Sequence, residues 1–571
     1  MESSAAESTS APPPPPFAVE DRRKSILGES LSKRLLLFIG ILVAGFIAAP
    51  VLVIAASPLQ GSDGTWAHLR ETVLSRYIIN SLGLAVGSAL GAGLIGAVCA
   101  WLVTLYQFPG RRWFEWLLLL PLAMPTYLIA YTYTDFLDFS GPVQDLFRSW
   151  TGLGPREYWF PDIRSLGGAI ILFSFVLYPY VYLLCRASFL EQSTSLLDAA
   201  RTMGKSRRQT FFRVALPLSR PALAAGCALV IMEALADYGA VEYLAVDTFT
   251  TGIYRTWFNL GSRVAASQLA AGLLAVILLV VLLERLSRGR RKFFQATKSR
   301  QVMPRWTLGK SGKVFAVLAC FLPVGIGFLI PVAILIEAAI GAGFFSSLNE
   351  SLQWAWHSTI LAAITSPIAL LFALLLSYNT RVCPGVISGA SARVASLGYA
   401  IPGSVVAVGV LLVLGWTDQS SRAFLPDSFL LSGSIAALIF AYLTRFLTLS
   451  VHTVDSGLTR IPKSFDDAGK TLRAGPITLL ARIHFPLIRA STLAAVLLVF
   501  VEVLKELPAT LIIRPFNFDT LAVRIYHLAS DERFAETAAP ALLIVLFGLA
   551  PVIILSRMMT RTRHAPMTAA E

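Results

Sequence analysis

The chain has 571 residues, of which 55% are hydrophobic and only 14% charged, with a formal net charge of +14. A mean hydropathy of +0.66 excludes a water-soluble globular protein and fits a helical protein that crosses a membrane many times. The positive balance does not point to nucleic acid, because no separate soluble domain carries it and Lys and Arg collect in the cytoplasmic loops of membrane proteins.

Residues 1–34 open with a Ser/Ala/Pro-rich stretch without an apolar run, and a disordered cytoplasmic tail is expected there. The first apolar stretch, 35–57, is longer than a signal-peptide core and lacks a cleavage site, so it reads as a retained span. Windows of about 20 apolar residues can cross a bilayer core. Five more such windows follow in the first half, at 78–105, 114–136, 166–189, 221–244 and 264–284. The second half supplies six, at 314–341, 355–378, 393–416, 430–451, 490–513 and 537–557. The expected fold is therefore all-α and polytopic, with about twelve transmembrane helices. Its first transmembrane unit is 35–284, a basic linker runs over 285–313, the second unit is 314–557, and 558–571 is a cytoplasmic tail.

Charge sets the orientation. Arg22, Arg23 and Lys24 precede span one, Arg111 and Arg112 follow span two, and a basic run from Arg201 to Arg220 follows span four. Arg285 to Lys313 join spans six and seven, Arg381 and Arg393 flank the next inner loop, and Arg557, Arg561 and Arg563 follow span twelve. Alternating spans place all of these on one side, the cytoplasm, together with both termini. The opposite loops are more acidic, with Asp138, Asp145, Glu157 and Asp162 after span three.

The chain also repeats itself. A shift of 269 carries Asp198 onto Asp467, Pro217 onto Pro486, Glu233 onto Glu502 and Arg255 onto Arg524. Upstream, a shift of 277 carries Ser81 onto Ser358 and Pro125 onto Pro402. Six spans per repeat give two parallel halves related by an axis along the membrane normal.

Within the repeat lies a basic cytoplasmic segment between the fourth and fifth spans of each half. Its first copy holds Asp198, Ala199, Ala200, Gly204 and Pro217; its second holds Asp467, Ala468, Gly469, Arg473 and Pro486. Small residues recur at helical spacing with a polar face opposite, so a short helix, a turn and a second short helix are expected. The small residues would let another surface come close, and Pro217 would end the segment before the next span.

Span five, "ALAAGCALVIMEALADYGAVEY", and span eleven, "LAAVLLVFVEVLKELPATLIIRP", carry charges inside the membrane. Glu233 and Asp237 stand four apart, as do Glu502 and Glu506, so each pair would share a helix face. Lys505 lies beside the second pair, and Tyr238 follows Asp237. Each such charge costs about 2.5–3.5 kcal/mol on insertion scales. They read either as structural pairs at the seam, Glu502 with Lys505 for instance, or as the lining of a translocation path or its gate. Gly239 and Pro508 should break the two helices.

Other chemistry is missing from the sequence. The five cysteines, Cys99, Cys185, Cys227, Cys320 and Cys383, stand singly and read as small buried hydrophobes. The six histidines are isolated from one another, so no metal site and no cofactor are assigned. No Ser/His/Asp grouping, HExxH or GxxxxGK[ST] phosphate loop occurs, so the chain is read as neither an enzyme nor an ATPase.

The spacing Asp-Ala-Ala, three residues, Gly, nine residues, Val-x-Leu-Pro resembles the EAA loop of ABC-importer permeases, with Asp for Glu. The second copy departs from it: Asp467-Ala468-Gly469 replaces Glu-Ala-Ala, Arg473 takes the glycine position and Phe485-Pro486 replaces Leu-Pro. The resemblance covers roughly residues 60–560 and implies a type I importer permease with two fused transmembrane domains. It further implies two copies of a cytoplasmic ABC ATPase docked on these loops, a periplasmic substrate-binding protein, a bacterial inner-membrane location and alternating access. The stretches at 234–271 and 503–542 are similar to iron(III) importer permeases of the ferric-binding-protein type. Thiamine or another small-solute importer permease is the alternative cargo reading. A secondary transporter is the distant one, and it would leave the doubled cytoplasmic segment without a purpose.

Overall fold

A computed structural model describes residues 16–61, 64–155, 157–192, 202–288, 306–342, 344–421, 430–472 and 474–561. Eight of its helices are long and apolar enough to cross a membrane. Three further helix pairs pass the same test but are sharply bent, and Phe534–Ala550 is a shorter apolar helix. Each of the twelve expected windows falls on one of these.

The boundaries differ from expectation where backbone chemistry intervenes. The first helix begins at Pro16, inside the stretch read as a disordered tail, and continues to Ala56. Proline suits a first helical position, where its missing N–H is not needed. Span three is not straight: Arg111–Ala123 and Thr126–Thr151 meet at 88° around Met124-Pro125. Span nine breaks at the equivalent Pro402, with Val386–Ala395 before it and Gly403–Ser421 after. The residue before a proline is pushed out of the helical region, so both breaks follow from sequence chemistry. Among the described residues one departure from an all-α fold occurs, a parallel pairing of Tyr106–Gln107 with Trp306–Thr307. It fixes the end of the linker to the end of span two. Trp306 is buried there, with its ring 5.8 Å from Trp101 and 5.5 Å from Tyr106.

The repeat persists in the element boundaries. Helix Arg220–Ala236 starts 269 residues before Arg489–Leu504, and the π-helical turn Phe211–Ala215 lies 269 residues before Leu480–His484. Ser165 caps span four through its hydroxyl, as its equivalent Ser434 caps span ten.

The two halves interlock in space. Buried residues form two cores. One joins spans two to five to spans seven and twelve, and the other joins spans eight to eleven to spans one and six. The first helix, Pro16–Ala56, accordingly packs against Val386–Ala395 and Gly403–Ser421 of the other half. Lys310–Val324 and Ile330–Gly341 of span seven make the reciprocal contacts with Arg111–Leu117 and Thr126–Leu137 of span three.

Candidate functional site

Spans five and eleven break where the acids stand. Helix Arg220–Ala236 stops before Asp237, and Gly239–Tyr243 restarts the chain as a short helix. Arg489–Leu504 stops before Lys505, and Pro508–Ile513 follows. The breaks thus come just ahead of Gly239 and Pro508, which occupy the first turns of the new helices. The paired acids do not share one helix face as expected, because Asp237 and Glu506 lie beyond the helix ends. They cap the short helices instead. Asp237 Oδ1 accepts from the Ala240 and Val241 amides at 2.8 and 3.3 Å. Glu506 accepts from the equivalent Ala509 and Thr510 amides at 2.9 and 3.0 Å, and from the Thr510 hydroxyl at 2.5 Å. The first amides of a helix have no partner within it, and a carboxylate there satisfies them and the positive end of the dipole.

All six charged or polar residues singled out in the two spans line one cavity, with about 680 Å³ of empty space partly open to the outside. The lining comes in equivalent pairs: Glu233 with Glu502, Asp237 with Glu506, Tyr238 with Leu507, Gly239 with Pro508. The cavity therefore lies on the seam between the halves. Gly239 marks how close that seam is: a Cβ there would stand 2.6 Å from Leu507 Cδ2 and 2.8 Å from Tyr127 Cβ.

Sequence reasoning missed one residue, Arg445, which lines the same cavity from span ten. Its Nη1 donates to Glu506 Oε1 at 2.8 Å, and the Glu506 side chain is only 1% exposed. Its signal in the sequence is an arginine inside an apolar run, "FAYLTRFLTLS", away from the loops whose charge sets the orientation. Lys505 pairs with Glu502 at 2.8 Å. Among the described residues none bonds the Glu233 carboxylate, which stands half-buried at the cavity wall. Four acids thus face two cations, both from the second half. Among the described residues no group of three or more His, Cys, Asp or Glu is placed to hold a metal ion.

The cytoplasmic segments are described in part. Asp198, Ala199, Ala200 and Arg473 lie outside the described residues. Gly204 has φ +76 with open space where a Cβ would go, so its demand is conformational. Within this chain it is a turn residue and not a close-approach point. Pro217 and Pro486 sit in the short helices Leu216–Leu218 and Phe485–Leu487. The chain bends after them, by 68° into Arg220–Ala236 and by 80° into Arg489–Leu504. Asp467, Ala468 and Gly469 lie on helix Lys463–Thr471, and a Cβ on Gly469 would meet Leu479 Cδ2 at 2.1 Å. Close approach of Lys463–Thr471 to the next short helix, Pro476–Leu479, therefore depends on Gly469. Arg381 ties this segment to span eight by donating to Asp466 at 2.6 and 3.0 Å and to the Ile461 carbonyl at 3.0 Å. His484 Nε2 lies 2.9 Å from the same aspartate.

Residues 72–290 match the family described as "binding-protein-dependent transport system inner membrane component". The chain is 26% identical over 494 residues to the Fe(3+)-transport system permease protein FbpB 2 of Haemophilus influenzae, covering 85% of this chain and 90% of that one. It is 23% identical to the ferric transport system permease protein FbpB of Actinobacillus pleuropneumoniae, over 95% of this chain and 79% of that one. A shorter match, 28% identical over 199 residues, reaches the sulfate transport system permease protein CysT of Escherichia coli, over 34% of this chain and 69% of that one.

Proposed function

From the match of residues 72–290 to the inner-membrane components of binding-protein-dependent transport systems, and from the relatives similar along most of the chain, we propose that the chain is the permease of an ATP-driven importer of ferric iron. It is a multi-pass transport protein, not an enzyme. Both transmembrane units, 35–284 and 314–557, would lie on one polypeptide joined by the cytoplasmic linker 285–313, with both termini inside. The observation that carries the cargo reading is the cavity on the seam. It holds four carboxylates against two cations, so its field favours a cation and opposes sulfate. The relatives that match along both halves are named for ferric transport, whereas the sulfate permease matches over a third of the chain.

In the mechanism, two copies of a cytoplasmic ABC ATPase dock on the repeated segments, through Asp198, Ala199, Ala200 and Gly204 on one side. Asp467, Ala468, Gly469 and Arg473 serve on the other. ATP-driven closure of the ATPases moves these segments, and Pro217 and Pro486 lie just before the bends that pass the movement to spans five and eleven. A periplasmic binding protein delivers the cargo from outside. Glu233 and Glu502 face it as it crosses, with Lys505 balancing Glu502 when the cavity is empty, while Asp237 and Glu506 hold the shape of the breaks. The two halves then rock about the seam and expose the cavity to alternate sides.

The test is uptake of radiolabelled ferric iron and of thiamine by cells lacking this gene, with and without the chain restored, alongside co-purification of an ATPase subunit. Restored iron uptake with a co-purifying ATPase is expected. Restored thiamine uptake alone overturns the cargo, and iron uptake without any ATPase overturns the importer class.

A further inference from the structure

The two breaks are alike in their capping carboxylates and unlike in what holds those carboxylates from the side. In the first half the Thr126 hydroxyl, at the start of the helix that follows Pro125, donates to Asp237 Oδ2. The equivalent of Thr126 is Gly403, which follows Pro402 and has no hydroxyl to offer. The Glu506 carboxylate is met instead by Arg445, whose first-half equivalent is Val176. The glycine and the arginine depend on one another. A Cβ on Gly403 would stand 2.7 Å from Arg445 Nη1 and 2.6 Å from Glu506 Oε1, so a side chain there would push the guanidinium and the carboxylate out of their present places. Three positions therefore differ together: Thr126, Val176 and Asp237 on one side, Gly403, Arg445 and Glu506 on the other.

We propose that Arg445 is a positioning residue that latches the break of span eleven through Glu506, as the Thr126 hydroxyl latches the break of span five through Asp237. The cavity thus carries one uncharged and one ionic latch at equivalent places. The first holds its capping carboxylate against the third span and the second against the tenth, and both fix the short helix that forms the far wall of the cavity. Arg445 acts on Glu506 and not on the cargo, which leaves Glu233 and Glu502 as the acids that meet it. This inference rests on the reading of the cavity as the translocation path, but not on the identity of the cargo.

If the latches are equivalent, one can be transplanted onto the other. Gly403→Thr, Arg445→Val and Glu506→Asp together copy the first half's latch into the second. Alone, Arg445→Val leaves a buried carboxylate without its cation, and the maximal rate of ferric uptake should fall about tenfold or more. Gly403→Thr alone pushes into the ion pair and should do the same. The triple variant should return to within about twofold of wild type, a non-additivity expected only of residues acting as one unit. Half-saturating iron should be unchanged throughout, and the mirror set, Thr126→Gly against Thr126→Gly with Val176→Arg and Asp237→Glu, should behave likewise. A triple variant no better than the worse single at equal membrane abundance overturns the proposal. So does wild-type uptake by Arg445→Val, or a shift in half-saturation that would put Arg445 on the cargo. Should the singles not accumulate, a triple variant that also fails to accumulate overturns it, and one that accumulates supports it. If the wild-type protein imports no iron, the cargo reading fails, yet melting temperatures of the same full-length variants in detergent still score the latch by the presence or absence of rescue.

Discussion

Glu502 and Lys505 show how a single pair can be read two ways. They bond at 2.8 Å, but both stay partly open to the cavity, at 25% and 21% of their side chains. A purely structural pair would be replaceable as a unit, because removing one partner strands the other charge. A path residue would not be. Glu502→Gln is expected to lower uptake about tenfold, the loss that about 1.4 kcal/mol of transition-state stabilisation brings. Glu502→Gln with Lys505→Met should insert normally and still fail to transport. Uptake measured beside membrane abundance for the two singles and the double decides the matter, and recovery in the double would make the pair structural. Gly239 poses a steric question instead. Its missing Cβ makes room for Leu507 across the seam and for Tyr127, so Gly239→Ala should cost about 1–3 kcal/mol of overpacking strain. A lower melting temperature in detergent is the expected sign, and an unchanged one would mean that the seam yields easily.

At the scale of elements, the repeated cytoplasmic segment joins two kinds of demand. Gly204 needs the left-handed region that only glycine enters freely. Gly469 needs space against Leu479. Gly204→Ala should therefore disturb the turn mildly, by the about 1–2 kcal/mol that a left-handed alanine costs. Gly204→Arg adds a long side chain on an open surface and should cut co-purification of the ATPase much further than Gly204→Ala does. Equal losses in the two variants would leave turn strain as the whole effect and remove Gly204 from the docking surface. The second segment is held differently, by Arg381 clasping Asp466 and the Ile461 carbonyl. The equivalent of Asp466 is Leu197 and that of Arg381 is Thr104, so the charged clasp belongs to the second half alone.

At the scale of the molecule, each buried core takes residues from both halves. The first span of one half covers the ninth span of the other, and the seventh covers the third. Neither half can bury its own apolar surface alone. Cutting the chain within the basic linker should therefore give two pieces that co-purify when expressed together. Each piece expressed singly should be degraded. A half that accumulates alone as a monodisperse species would refute the interlocking. Trp306, pinned to Trp101 and Tyr106 at the linker's end, sets where the second half begins on the first.

Composition, the loop charges and the internal repeat were enough to lay out apolar windows that each fall on an apolar helix, and to make Glu233 equivalent to Glu502, because hydrophobic period and loop charge are local properties of the chain. Prolines at 125 and 402 also mark the broken third and ninth spans, because the residue before a proline is pushed out of the helical region. Only the tertiary structure decided which acids cap a helix and which face the cavity, because Asp237 and Glu506 are told apart from Glu233 and Glu502 by backbone amides that a broken helix exposes. It alone paired Arg445 with Glu506, 61 residues apart, and exchanged the first spans between the halves. Such contacts depend on where distant segments meet, and a repeat of 269 residues says that two places are equivalent without saying that they touch.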